Sequence, residues 1–376
     1  MQKRRRNIVD YATQCGGDDF WRRSFNDVDS LVLSTLCYAD LSLTPFGKIA
    51  NFNCTVRELD ELVDAGRLTE KMWNAMRGER LLRAAANSRR FGDVLIHHYR
   101  RVIDELSQEQ FAAVTFSMNT DSGYVDYIAF QGTDDTLLGW KEDFNMAFAS
   151  NLPSQREALN YTKYIASLSD NKLILGGHSK GGNLATYAGL KSPRHLKSRI
   201  VAVFDHDGPG FLPGVFTALE KVGMAGKVHK TIPESAFFGL LLESYPSKYK
   251  VVKSDGRAIL RHDSLTWQVD GGQFLLANNV TSASSVAARS IRRWLRNVTP
   301  EQRQAFIDAL YEILSSMHRT TAPGIKHYVR THKREIVSKI RSSDPQVRKM
   351  LVDVIKVLAK SSAKELVTSA KARIFK

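Results

Sequence analysis

The stretch from Lys172 to Leu190 most constrains how this chain can fold, because a short apolar run meets a glycine-dense turn and then a helix-compatible segment. Within the turn, residues 177–181 read Gly-His-Ser-Lys-Gly and fit the pattern G-x-S-x-G. A serine on a sharp strand-to-helix turn has a strained backbone, and side chains two residues to either side would collide with the strand or the helix. The stretch therefore predicts a strand, a tight turn that carries Ser179, and a helix from Asn183.

Such a turn has a chemical use. The N-terminus of the following helix places backbone N–H groups and a positive dipole end where an oxyanion would form. The pattern therefore predicts that Ser179 is a nucleophile. A second reading stays open, in which the segment is a glycine-rich turn or an anion-binding loop without nucleophilic chemistry, because three fixed positions in five residues are a weak signal.

Bulk composition predicts a soluble globular protein. The chain has 376 residues, of which 43% are hydrophobic and 25% charged, and no apolar run approaches the roughly 18 residues of a membrane span. The basic N-terminus is not followed by the apolar region of a signal peptide. Three cysteines without metal-type spacing, Cys15, Cys37 and Cys54, predict free thiols in a reducing compartment. We therefore expect a cytoplasmic protein, either free or peripheral to the membrane.

Positive charge is concentrated at the ends of the chain. Residues 285–376 hold 20 Lys and Arg against 7 Asp and Glu, which accounts for most of the net charge of +15. This asymmetry predicts a C-terminal extension with a surface role of its own. Two hypotheses stay open for it, docking on an anionic membrane surface and a solvated basic face on helices that pack against the core. Nucleic acid is not an expected partner, since no recognition module is present.

The order of the elements predicts an α/β fold with helical flanks. Residues 1–110 read as a mainly helical N-terminal region that packs on the core, 111–284 as the α/β core, and 285–376 as a basic α-helical extension with amphipathic helices at 301–317 and 346–359. In the core, strands alternate with helices, which predicts a mostly parallel sheet flanked by helices. The predicted core elements are a hairpin over 111–130, helices at 154–169, 183–191 and near 214–222, strands at 199–205 and 227–232, and a second hairpin over 248–260 around Asp255-Gly256.

A nucleophilic serine needs a base, and the base needs an acid to orient it. In folds with this turn, the acid and then the histidine follow the serine in the chain. His262 is the favoured base, because it follows the predicted second hairpin, where a loop can fold back over Ser179. Asp207 is the favoured acid, because it follows a strand at the edge where ligand-facing groups lie. Glu234 and Asp205 remain as alternatives, and Asp207 also has the simple reading of a turn aspartate before Gly-Pro.

An oxyanion hole needs two donors. The backbone N–H of Lys180, directly after the serine, is one candidate, and the loop at Thr133, with its N–H and hydroxyl, is the other. Residues 134–150 are a candidate lid. Three aromatic side chains are candidates to line an acyl pocket: Trp140, Phe144 and Trp267. Aromatic residues in such runs are more often part of the core.

Four segments together resemble the bacterial Mbeg1-like proteins, which are similar to class 3 lipases of the α/β-hydrolase fold. They are Phe130–Asp135, the Gly177–Gly182 turn, Asp207–Gly210 and His262–Trp267, and the likeness extends from about Asn7 to Gly272. It implies Ser179 as nucleophile, His262 as base and the loop at Thr133 as an oxyanion source.

Two departures from the lipase pattern matter. Class 3 lipases carry their acid one strand later than Asp207, near Glu234. Lys180 stands where those lipases usually have leucine, which would put a cation beside the nucleophile.

These observations favour a serine hydrolase that cleaves a small-molecule or lipid acyl ester through an acyl-enzyme. No metal or organic cofactor is expected, because no His/Cys/Asp cluster has ligand spacing. The alternative hypothesis is a weakly active or non-catalytic scaffold that keeps the fold and docks through its basic extension.

Overall fold

The core of the computed structural model is one eight-stranded sheet whose strands lie in chain order. The structure describes residues 6–49, 51–107, 109–133, 142, 146, 151–236, 238–256, 258–297, 299, 301–302, 338, 345 and 348–349. Neighbouring strands are antiparallel from β1 to β4 and parallel from β4 to β8. The strands are β1 (Asn53–Thr55), β2 (Leu95–Asp104), β3 (Glu109–Thr120), β4 (Gly123–Phe130), β5 (Lys172–His178), β6 (Ile200–His206), β7 (Val228–Pro233) and β8 (Lys250–Val252).

Helices cover both faces of this sheet. A short separate hairpin, β9 (Val269–Asp270) with β10 (Gln273–Phe274), follows the sheet. The helices are α1 (Ile8–Gln14), α2 (Asp27–Leu36), α3 (Val56–Leu62), α4 (Ala65–Thr69), α5 (Ala75–Ala86), α6 (Pro153–Leu168), α7 (Lys180–Lys191), α8 (Arg194–Arg199), α9 (Ala218–Val222) and α10 (Ser282–Asn297).

The alternation of side chains along β3 and β4 builds two cores. Val114 and Phe116 face one side with Tyr127, where they pack with α1, α2 and α5. Ala113 and Ile128 face the other side and pack with α6 and α7. Because successive residues of a strand point to opposite faces, a central strand that is buried on both sides must be apolar throughout.

Helix α2 is buried on all sides. Asn26 is the N-cap: its side chain accepts hydrogen bonds from the N–H groups of Val28 and Asp29, and the Asp29 carboxylate accepts from the Asn26 N–H at 3.0 Å. Thr55 and Glu58 form a capping box at the start of α3.

The sheet starts sooner than the predicted core boundary at residue 111. Strand β2 lies at Leu95–Asp104, inside the region predicted as mainly helical. Its sequence, Leu-Ile-His-His-Tyr-Arg-Arg-Val-Ile-Asp, is polar in the middle, and a bulge between His97 and Arg100 interrupts its register with β3. Because of the polar residues and the bulge, the sequence of β2 lacks the regular alternation of apolar and polar residues by which a strand is predicted.

The predicted second hairpin over 248–260 is wrong. Strand β8 pairs in parallel with β7, and the chain then forms a 3-10 helix over Ala258–His262 instead of a returning strand. The Asp255-Gly256 pair suggested a hairpin turn, but β7 already occupies one edge of β8. The other edge of this segment pairs with a later part of the chain, through β-bridges from Val252 to Leu276 and from Ser254 to Trp267. His262 therefore ends a helical turn.

The arrangement is the α/β-hydrolase fold, with a parallel sheet through β4–β8 and helices on both faces. No helix in the described ranges is long and apolar enough to cross a membrane. The three cysteines are unpaired. The predicted helices at 301–317 and 346–359, and with them most of the basic extension, lie outside the described residues, so their role stays a prediction.

Candidate functional site

The turn between β5 and α7 holds Ser179 in a strained conformation. Ser179 has φ 58° and ψ −131°, a region that a non-glycine residue rarely adopts. Its N–H donates to the carbonyl of His206 on β6 at 2.9 Å, and its own carbonyl accepts from the Gly182 N–H at 2.9 Å. Backbone hydrogen bonds on both sides therefore hold the serine at the tip of the turn.

The glycines flanking Ser179 are required by contact between backbones. A Cβ on Gly177 would lie 2.2 Å from the carbonyl carbon of Gly181, and a Cβ on Gly181 would lie 2.0 Å from the carbonyl oxygen of Phe130. Neither neighbour can move without moving the sheet or the helix. The crowding predicted for the G-x-S-x-G pattern is present at both positions.

Ser179, His262 and Asp207 lie in hydrogen-bond contact. The His262 Nε2 atom is 2.9 Å from Ser179 Oγ, and its Nδ1 atom is 2.6 Å from Asp207 Oδ2. A carboxylate only accepts, so Nδ1 carries the proton and donates to Asp207. Nε2 therefore presents a lone pair to the serine hydroxyl. The Asp207 side chain is fully buried, whereas that of His262 is 21% exposed, so the imidazole faces the open side of the site.

The loop after β6 is built to aim Asp207. The second carboxylate oxygen, Oδ1, accepts from the Gly239 N–H at 3.1 Å. Gly208 packs so closely that a Cβ there would lie 2.8 Å from the Ser179 carbonyl oxygen. Asn183 on α7 donates to the carbonyl oxygens of Pro209 and Gly210 at 3.0 and 3.1 Å. The aspartate is thus fixed relative to the serine turn.

Neither alternative acid contacts His262 in the structure. Glu234 pairs with Arg261 at 2.9 Å. Asp205 forms a buried ion pair with Lys230 at 2.6 Å, and burial raises the pKa of the Asp205 carboxyl. Asp205 Oδ1 also accepts from the Gly208 N–H at 2.8 Å, and Lys230 donates to the Gly208 carbonyl at 2.6 Å. Asp205 therefore supports the loop that carries Asp207.

The Lys180 side chain does not place a cation beside Ser179, contrary to the sequence-based expectation. Its ammonium group is fully buried and donates to Glu142 Oε2 at 3.0 Å and to the Gln110 carbonyl at 2.6 Å. Glu142 also accepts from the N–H groups of Gln110 and Ser154, at 3.0 and 3.2 Å. The charge is therefore neutralised by Glu142 in the protein interior. The Lys180 N–H is the first of α7, where no intrahelical acceptor exists.

The loop with Thr133 follows β4, which is the parallel neighbour of β5. Phe130 pairs in register with Gly177, so residues 131–133 leave the sheet beside the serine turn. A Cβ on Gly132 would lie 2.7 Å from the His178 carbonyl oxygen, which shows how closely the two backbones approach. Thr133 and Lys180 are thus carried on adjacent segments. The candidate lid at 134–150, with Trp140 and Phe144, lies outside the described residues except for Glu142 and Met146.

One histidine that contacts the site was not among the residues predicted from the sequence. His178 lies directly before Ser179, is buried, and donates from Nε2 to the His262 carbonyl oxygen at 2.7 Å. The two imidazole centroids are 4.6 Å apart. The Tyr38 hydroxyl of the segment after α2 lies 3.3 Å from His178 Nδ1. Burial keeps the pKa of His178 well below 6.5, so this ring stays neutral. Only its place inside the G-x-S-x-G pattern could have marked it.

The third aromatic candidate for an acyl pocket is a core residue. Trp267 is fully buried, its indole N–H donates to the Arg261 carbonyl at 2.9 Å, and its ring packs on those of His178 and His206. In the described part of the chain, no group of three or more His, Cys, Asp or Glu side chains could hold a metal ion.

Comparison with known proteins assigns the chain to a family. The Mbeg1-like family model matches residues 85–312, which is more than half of the chain and includes Ser179, Asp207 and His262. No curated protein matches. Among solved structures, a fungal lipase–inhibitor complex described as a model for interfacial activation is similar at 15% identity and a TM-score of 0.31, covering 55% of this chain and 82% of that one. The family match and the order of the motifs agree, and the chain belongs to the Mbeg1-like family.

Proposed function

We propose that this protein is a serine hydrolase that cleaves a carboxylic ester, with Ser179 as nucleophile, His262 as general base and Asp207 as the orienting acid. The observation that carries the proposal is the continuous hydrogen-bonded line from Ser179 Oγ through both imidazole nitrogens to Asp207, at 2.9 and 2.6 Å. The strained backbone of Ser179 supports it as well, because strain of this kind clusters at functional sites.

In the first half of the reaction, Ser179 Oγ attacks the ester carbonyl carbon while its proton passes to His262 Nε2. Asp207 stabilises the resulting imidazolium and keeps Nδ1 protonated. Collapse of the tetrahedral intermediate breaks the ester C–O bond, and the leaving alkoxide takes the proton from Nε2. Water then attacks the acyl-enzyme by the same route, which releases the carboxylic acid and restores Ser179.

The developing oxyanion would be held by backbone donors. The Lys180 N–H at the start of α7 and the segment ending at Thr133 flank the serine, and the positive end of the α7 dipole favours negative charge there. Because the Lys180 ammonium is buried with Glu142, the donor at this position would be the backbone N–H.

Labelling with a fluorophosphonate, read as intact mass, tests the proposal. We expect one adduct on the wild type and none on Ser179→Ala or His262→Ala. Ser117→Ala is a matched control, because Ser117 also lies near a histidine, 2.6 Å from His97 Nε2. Its hydroxyl donates to Asp126 at 2.5 Å, so His97 cannot take that proton, and Ser117→Ala should label like the wild type.

Ester turnover completes the test. A panel of esters with graded acyl chains should be hydrolysed by the wild type and not by Ser179→Ala. Absence of any adduct, under conditions that label a known serine hydrolase, would refute the proposal and favour the scaffold alternative.

A further inference from the structure

A second cavity lies between the bulge of β2, helix α6 and the segment that precedes β1. Its volume is about 550 Å³, which is within the range of about 300–1,000 Å³ typical of small-molecule sites. Five aromatic rings line it: Phe46, Phe52, Tyr99, Tyr161 and Tyr164. Such sites are mostly apolar with a few polar groups that orient the ligand. The shape and lining therefore suit a small molecule with an aromatic body.

The charges around this cavity are already paired. Among the described residues that line it, only Arg100 and Glu157 carry a full charge, and the two form an ion pair with each other. Apart from His98, the other polar side chains of the lining are phenols and the neutral amides of Asn51 and Asn160. An ionised ligand would lose hydration here without gaining a free counter-charge. The cavity therefore favours an uncharged ligand.

His98 enters the lining through a strained backbone. Its φ is 52°, in the left-handed region that few residues other than glycine adopt, and it lies in the bulge between His97 and Arg100. The Tyr161 hydroxyl donates to the His98 carbonyl at 2.6 Å and holds this conformation. Bulges redirect side chains, and strain of this kind clusters at functional sites. The fold thus directs the imidazole of His98 to the cavity.

Hydrogen bonds behind His98 fix its tautomer. Asp126 only accepts, so the Ser117 hydroxyl donates to it at 2.5 Å, and Ser117 Oγ must accept from His97 Nε2 at 2.6 Å. Burial lowers the pKa of His97 to about 4 and lowers that of His98 as well, so both rings are neutral. His97 Nδ1 is then a bare acceptor, and His98 Nδ1, 2.5 Å away, donates to it. His98 Nε2 keeps its lone pair, with no hydrogen-bond partner in the part of the chain that the structure describes.

We propose that this cavity binds an uncharged, planar aromatic compound whose N–H or O–H group donates a hydrogen bond to His98 Nε2. The ligand ring would pack edge-to-face or offset against the aromatic walls, as such rings prefer. The inference does not depend on hydrolysis at Ser179, since it concerns a separate ligand site.

Two isomers of one compound test the assignment. 3-Methylindole and 1-methylindole have the same size, but only the first has an N–H donor. A hydrogen bond of this kind changes affinity by about three- to tenfold, so calorimetry on the full chain should show wild type binding 3-methylindole tighter by that factor. His98→Asn, which tolerates the positive φ, should bring the ratio close to one. Tyr164→Ala should weaken both isomers alike, because it removes part of the wall, and His195→Asn, at an exposed position on α8, should change neither.

A second variant tests the tautomer itself. His97→Phe keeps a ring but removes the acceptor for His98 Nδ1. In ¹⁵N NMR of the imidazoles, His98 should be protonated at Nδ1 in the wild type and lose that preference in His97→Phe, together with the preference between the isomers. This result decides the matter even if His98→Asn fails to fold, as judged by urea unfolding.

Three outcomes would overturn the proposal. They are equal affinity of wild type for the two isomers, binding of neither isomer, and a folded His98→Asn that still prefers 3-methylindole. Tight binding of tetramethylammonium in place of the indoles would assign the aromatic lining to a cation and would also overturn it.

Discussion

The buried ion pair between Lys180 and Glu142 offers a sharp test of how the serine turn is held. Both side chains are 0% exposed, and the ammonium lies 3.0 Å from the carboxylate. In Lys180→Met, the methionine fills a similar volume, but Glu142 keeps its charge and, among the described residues, retains the two backbone N–H donors of Gln110 and Ser154.

The magnitude follows from the burial. Removing one partner of a buried pair costs about 3–5 kcal/mol, because an uncompensated charge stays in the interior. Each 1.4 kcal/mol is a factor of ten, so the folded population relative to the unfolded one should fall by roughly a thousandfold. Removing both charges in Lys180→Met/Glu142→Gln should recover at least half of that loss. Urea unfolding of the four proteins in this double-mutant cycle measures the coupling energy.

An exposed pair provides the comparison. Arg57 and Asp93 lie 3.3 Å apart with side chains 42% and 80% exposed, and the cycle Arg57→Met/Asp93→Asn should give less than about 1 kcal/mol of coupling. A Lys180–Glu142 coupling no larger than this would refute the reasoning. Lys180→Met keeps its backbone N–H, so its folded fraction should still label at Ser179. Loss of labelling at unchanged stability would instead give the Lys180 side chain a direct role at the serine.

Three further predictions concern the proposed general base His262, its neighbour His178 and acid stability. Asp207→Asn should lower kcat by about 10³–10⁴, because an amide turned toward Nδ1 favours the wrong imidazole tautomer. Glu234→Gln should change kcat less than threefold, and the reverse ranking in steady-state kinetics would move the acid to Glu234. His178→Phe should lower kcat about tenfold with little change in KM, since the ring remains but the donor to the His262 carbonyl is lost. His195→Phe, at an exposed position, is its control, and equal effects of the two would exclude a positioning role. Burial lowers the pKa of His206 to about 3, so the unfolded chain binds a proton below about pH 6.5 that the folded chain does not, and stability falls as pH falls. His206→Gln should reduce the slope of unfolding free energy between pH 5.5 and 4 by about 1.4 kcal/mol per pH unit, and identical slopes in the two proteins would contradict this.

Much of the candidate site could be predicted from local patterns. The run Leu173-Ile174-Leu175 predicts a buried strand, and the glycines around Ser179 predict a turn where no Cβ fits, which the contacts of Gly177 and Gly181 confirm. The hairpin of β3 and β4 was predictable because two β-type apolar runs flank a turn at Ser122-Gly123 and pair locally. Strand β2 was not, because its polar residues and its bulge break the alternation.

Other features depend on contacts between residues far apart in the chain. Three of the carboxylates between Ser179 and His262 were candidates for the acid, and their residue types could not rank them. In the structure, the partner of each is set by the fold: Lys230 for Asp205, Arg261 for Glu234 and His262 for Asp207. The sequence also suggested a cation at Lys180 beside the serine, because it shows adjacency along the chain but not the direction in which a side chain leaves a helix.

By itself, the sequence of this Mbeg1-like protein determined the strand–turn–helix at Ser179, the alternation of strands with helices, and the concentration of basic residues after residue 285, because each depends on neighbours in the chain. Only the tertiary structure decided which carboxylate faces His262 and where the Lys180 charge is neutralised. Those outcomes depend on contacts across the sheet, and a carboxylate or an ammonium buried there takes whichever partner the fold brings within hydrogen-bond distance.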